Sequence, residues 1–145
     1  MAISNVKSAL ATDLATITVA NGYNTTIDTV FKVPKFLKDV DPTKLPAFSV
    51  FLTNAPAKEF DEGNIGCDLI FTIIAYASVE QDIDETGDLE IALFKMYEDV
   101  IELFNSMCST QKLDEVQGIE VIDFFPELSG NRGWAFIPIK IIYNG

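Results

Sequence analysis

The chain has 145 residues, the usual size of one domain, and 48% are hydrophobic, including eleven Phe, four Tyr and one Trp. That composition can build one core without a metal or disulfide staple, and it excludes general disorder. Twenty-two acids against ten bases give a net charge of −12, which argues against nucleic-acid backbones and anionic membranes, since both are bound by clustered cations.

The first segment predicts a helix over about Ile3–Val19. Ile3, Val6, Leu10, Leu14 and Ile17 recur every three or four residues, and Asn21-Gly22 supplies a stop. The period then changes. Ile27, Thr29, Phe31 and Val33 alternate with polar positions as a half-exposed strand requires. Pro34, Pro42 and Pro46 punctuate a Lys-rich loop over Lys35–Lys44, and a second strand follows over Ala47–Leu52. Asn54–Asn64, with Pro56 and Gly63, reads as a projecting hairpin loop. A long third strand over Ile65–Ser78 is apolar on both faces. After an acidic turn over Glu80–Asp88 comes a second helix, about Asp88–Met107, with Leu89, Leu93, Met96, Val100, Leu103 and Phe104 on its core side. Lys95, Glu98, Asp99 and Glu102 are expected on the opposite arc. Gly118–Phe125 and Trp134–Tyr143 close the chain as strands four and five, with Pro138 marking an edge or a bulge. The order α-β-β-β-α-β-β, without repeat or linker, predicts one α+β domain over residues 1–145. Its five-stranded, mainly antiparallel sheet carries two helices on one face.

Histidine is absent, which removes Ser-His and Cys-His nucleophile pairs, imidazole bases and His-ligated zinc. Cys67 and Cys108 are 41 residues apart and form no CxxC pair; both read as reduced, small apolar residues. An EF-hand register beginning at Asp82 would put Leu93 where the bidentate Glu belongs, so those acids read as helix-start residues favoured by the dipole. Gly63-Asn-Ile-Gly66 and Gly130-Asn-Arg-Gly133 lack the Lys-Ser/Thr of a phosphate loop and read as hairpin turns. No catalytic, cofactor or metal site is expected. The N-terminus has no secretory h-region, and the longest apolar run, Ile73–Ala77, is too short to span a bilayer. The chain thus reads as a soluble, cytosolic acidic domain.

Two-sided apolar strands leave more sheet surface than two helices cover, which points to partner subunits. The helix ending in Asn21-Gly22-Tyr23-Asn24-Thr25-Thr26-Ile27, the later Leu45-Pro46-Ala47-Phe48 and the long third strand resemble tail terminator proteins of long-tailed bacteriophages, the group that includes the lambda minor tail protein U. The resemblance spans nearly the whole chain. It implies a structural virion protein at the neck end of the tail, assembled in the host cytoplasm. Such a protein forms a homo-hexameric ring on the last ring of tail tube protein, stops tube elongation and presents a surface to the head-side neck or connector protein. It implies no catalysis. The expected subunit or tube contacts are Phe60 and Asp61, Tyr76 on strand three, and Arg132 with Trp134. Aromatic anchors beside charges are the usual make-up of interface hot spots. The competing reading is an acidic protein-binding or adaptor module, acting as a monomer or dimer.

Overall fold

The computed structural model describes residues 2–61, 64–79 and 86–144. The side chains of residues 2, 57–61, 64, 65 and 86–88 lie outside the described set. Helix α1 (Ala2–Ala15) turns Val6, Leu10 and Leu14 wholly inward. It stops earlier than its apolar period predicts, because Thr16-Ile17-Thr18-Val19 is a run of four β-branched residues, which lose side-chain freedom in a helix. The Thr16 amide and hydroxyl both donate to the Asp13 carbonyl, at 3.0 and 2.6 Å, and close the last turn. A separate 3-10 turn over Val19–Asn21 follows, capped by the Thr18 hydroxyl and ended by Gly22 at φ 95°. Gly22 therefore stops the short turn rather than α1.

Among the described residues, seven strands form the sheet: β1 (Thr29–Phe31), β2 (Ala47–Asn54), β3 (Ala57–Asp61), β4 (Asn64–Ser78), β5 (Val116–Val121), β6 (Phe125–Ser129) and β7 (Arg132–Asn144). They lie in five lanes. β2 and β3 run along the same side of β4, and β5 and β6 along the same side of β7, giving β1, β2/β3, β4, β7, β5/β6 across the sheet. All pairings are antiparallel except β1 with β2, which is parallel. The described residues thus form an α+β architecture with two α-helices, as expected, but the sheet is mixed and has seven strands rather than five. Within Asn54–Asn64, expected as a projecting hairpin loop, Ala57–Asp61 form strand β3, paired with β4. The segment 118–125 is split between β5 and β6.

Pro138 explains the second split. Proline predicts an edge or a bulge, and β7 is no edge: it is an interior strand. β6 pairs with β7 as far as Phe136 and β5 begins at Ile139, so Pro138 faces the gap between them. There the Ile122 amide donates to the Pro138 carbonyl at 2.9 Å, and the missing proline donor leaves no ladder bond unmade. β6 and β7 are joined through Gly130-Asn131. Gly130 at φ 68° occupies the first central position of that two-residue turn, and Ser129 pairs with Arg132 across it.

The core lies between the helices and one face of the sheet. Helix α2 (Thr86–Asn105) delivers Leu89, Leu93, Met96, Val100 and Leu103. They meet Leu69, Phe71 and Ile73 of β4 and Ile137, Ile139 and Ile141 of β7, all buried. Gly133 lets α2 approach: a Cβ there would stand 3.0 Å from Leu93 Cδ1 and 3.2 Å from the Glu127 carbonyl. Asp99, expected on the solvent arc, is buried instead, and its Oδ1 accepts from the Asn24 amide at 2.8 Å. The chain that follows α1 folds over that part of the helix and takes it out of water. Cys67 and Cys108 are buried and outside any disulfide; burial pushes the Cys108 thiol up to about 11. Among the described residues, no helix is long and apolar enough to cross a membrane.

Candidate interaction surfaces

The second apolar face of β4 has a partner inside the chain. Residues 32–46, the crossover between parallel β1 and β2, lie over it and place Leu37 and Val40 on Ala47, Ile74 and Tyr76. Phe31, Leu45, Trp134 and Phe136 complete this second, smaller core. Much of the surplus apolar surface read from the strand pattern is therefore covered by the chain's own crossover.

Tyr76 pins that crossover. Its side chain has no exposed surface. Its hydroxyl donates to the Lys35 carbonyl at 2.6 Å, accepts from the Lys35 amide at 3.2 Å and lies 3.0 Å from Ser49 Oγ. Burial raises the phenol above its ordinary value, against the opposing pull of its hydrogen bonds. Beside it, the Trp134 ring is half-buried, 6.4 Å from Tyr76 and 4.7 Å from Phe136 between centroids. Arg132 is half-buried at the end of β7 and donates through Nη1 to the Val40 carbonyl at 3.3 Å. Asp41, which feels the Arg132 charge, is held below its ordinary value mainly by the Thr43 amide and hydroxyl.

Three of the five residues predicted as contacts thus come together. β4 and β7 pair Tyr76 with Trp134 and Ser78 with Arg132. Phe60 and Asp61 lie elsewhere, on β3, where they pair in register with Ile65 and Asn64. Tyr76 lies eleven positions along β4 from Ile65, roughly 36 Å of strand at about 3.3 Å per residue. The side chains of Phe60 and Asp61 are outside the described set. Tyr76 offers no surface of its own, so any part it takes in a contact passes through the crossover that it holds.

The structure adds residues that the sequence pattern passed over. Phe36 stands out of the crossover, 65% exposed, and with Lys38, Glu127, Arg132 and Trp134 lines a groove of about 420 Å³. Its only sequence signal was a large aromatic between two lysines in a proline-bounded segment. On the helix face, Ile91 and Phe94 of α2 point outward although they are apolar. Phe94, Tyr97 and Phe124 form a ring cluster with centroid distances of 5.7, 5.8 and 4.8 Å. Two apolar residues outside the core stripe were the available signal there.

No family model and no curated protein sequence matches this chain. Its fold is shared with a solved structure, a chain from the virion of a native gene transfer agent particle. The TM-score is 0.52 at 10% sequence identity, covering 96% of this chain and 94% of that one. At that identity the likeness concerns the fold.

Proposed function

We propose that this chain is a structural protein of a phage-like virion. In this reading it caps the end of a tail tube as a homo-hexameric ring, stops tube elongation and provides the surface on which the head is joined, at the neck end of the tail. It has no catalytic role and needs no cofactor. The observation that carries the reading is the shared fold: nearly the whole chain has the architecture of nearly a whole chain from a virion particle. The sequence resemblance to tail terminators supports the narrower role within that class.

Charge and geometry fit it. A ring through which DNA passes works better if its wall repels phosphate, and a net charge of −12 supplies the acids from which such a wall can be built. A ring needs two different patches on each subunit, one meeting the other on the next copy. Arg132, Trp134 and Phe36 supply one patch that combines a cation with aromatic area, as hot spots do. Phe60 and Asp61, at the far end of β4, are proposed to meet the tube or the next subunit. Electron microscopy of the purified chain mixed with tail tubes tests the reading. Tubes closed at one end by a ring, and no longer able to elongate, are expected. Tubes that stay open and keep growing reject it.

A further inference from the structure

Half of the basic residues of this acidic chain belong to one region, which also holds Asp39 and Asp41. Lys32, Lys35, Lys38, Lys44 and Arg132 are five of its ten basic residues, and all belong to the crossover or to the β7 end beside it. Phe36 projects beside Lys38, whose Nζ stands 6.0 Å from the centre of its ring, while Lys35 Nζ lies 4.9 Å from the centre of the Phe31 ring. A large exposed aromatic held beside cations costs solvation in the free chain and gains when it is covered.

On the opposite face of the sheet lies a groove of matching character. Ile91 and Phe94 of α2, with Phe124 and Pro126, form an apolar trough of about 340 Å³. Ile91 is 54% exposed and Phe94 47%. Glu90 and Glu98 flank the trough, and Lys95 is the cation in its lining. Around the knob Lys38 and Arg132 outnumber Glu127, and around the trough Glu90 and Glu98 outnumber Lys95, so the two surfaces carry opposite excess charge. Because the two lie on opposite faces of the sheet, one chain cannot bring its own pair together.

We infer that a second copy of this chain is the occupant: Phe36, with Lys38 beside it, seats in the trough of the next copy between Glu90 and Glu98. The contact is heterologous, one surface meeting a different one, so it propagates head to tail into a ring or a filament. Side chains make it rather than strand addition. Pro126 sits on edge strand β6 next to the trough and lacks an amide donor there, which blunts that edge for pairing. The inference deepens the ring proposal and rests on it for what the contact builds, since it names the two surfaces through which copies join.

Lys38, Phe36 and Glu98 are all exposed, so their substitution leaves the core intact, and circular dichroism verifies this. The association of the full chain is measured by light scattering at low salt, alone and on tail tubes. Lys38→Glu and Glu98→Lys should each weaken association about tenfold, because an attractive rim pair becomes a repulsive one. Both changes in one chain should restore it to within about threefold of the original, while Phe36→Asp should abolish it by removing the anchor. Single reversals that associate like the original chain, a double reversal that does not recover, or an original chain monomeric both alone and on tubes would overturn the inference. Tubes left open by a chain that does associate refute the capping role alone. Capping by rings indifferent to these charges refutes this contact alone.

Discussion

The hydroxyl of Tyr76 holds both backbone groups of Lys35, donating to its carbonyl at 2.6 Å and accepting from its amide at 3.2 Å. Tyr76 lies on the central strand, and Lys35 opens the most cationic stretch of the chain. One buried phenol therefore sets where the exposed Phe36–Lys38 turn stands relative to Trp134 and Arg132. Ser49 Oγ, 3.0 Å away, donates the remaining bond, since the phenol proton is committed to Lys35.

Tyr76→Phe keeps the ring and removes these bonds, leaving the Lys35 backbone and the Ser49 hydroxyl without their partner. It is expected to cost about 1–3 kcal/mol in urea unfolding. Hydrogen exchange should speed up in the crossover more than in α2. An unchanged midpoint would mean that water replaces the phenol at no cost.

Asp13 ties α1 to the turn after α2. It is 4% exposed, and its two oxygens accept from the Thr110 amide at 2.8 Å, the Thr110 hydroxyl at 2.5 Å, the Ser109 amide at 3.1 Å and the Ser109 hydroxyl. Burial alone would raise this carboxyl, but the hydrogen bonds outweigh it and hold it below its ordinary value. Its stabilising contribution is therefore complete above the unfolded-state value of 3.8 and is lost as pH falls through the lower folded value. Asp13→Asn replaces one acceptor oxygen with a donor and should cost about 1–3 kcal/mol near neutral pH. The gap between the two proteins should narrow below about pH 4. Urea titrations at several pH values would measure it, and a gap that widens in acid would contradict the assignment.

Gly133 has a steric role. An added Cβ would meet Leu128 Cδ2 at 3.1 Å as well as Leu93 Cδ1 at 3.0 Å and the Glu127 carbonyl at 3.2 Å. The leucine ends can shift, but the carbonyl belongs to the paired strand β6. Gly133→Ala should lower stability by about 1–3 kcal/mol through this overpacking, read as a reduced melting temperature. A stabilised variant would show that α2 can move away freely.

Arg132→Glu removes the bond to the Val40 carbonyl and reverses the charge at one end of the Phe36 groove. The fold should persist by circular dichroism, because the side chain is half-buried at the surface. Capping of tail tubes should fall about tenfold if Arg132 faces a carboxylate of a neighbour. Full capping would assign the residue to holding the crossover alone.

Local pattern in the sequence determined much of this protein. The stripes Val6-Leu10-Leu14 and Leu89-Leu93-Met96-Val100-Leu103 specify two helices and the faces they bury, because a 3.6-residue period leaves one solution. Long runs apolar on both faces specify β4 and β7 as strands, and the absence of His together with the acid excess excludes whole classes of chemistry. Tertiary structure decided the rest. That β1 and β2 run parallel, and that their crossover covers the second face of β4, depends on contacts far apart in the chain, such as Tyr76 with Lys35, 41 residues away. Asp99 reads as a surface acid on its helix and is buried because another segment folds over it. Phe36, Phe94 and Ile91 read as ordinary apolar residues, and only the packed fold leaves them in water. A pattern reports which face of an element is apolar; which elements meet, and which apolar residues remain uncovered, follows from how the faces are shared among all of them.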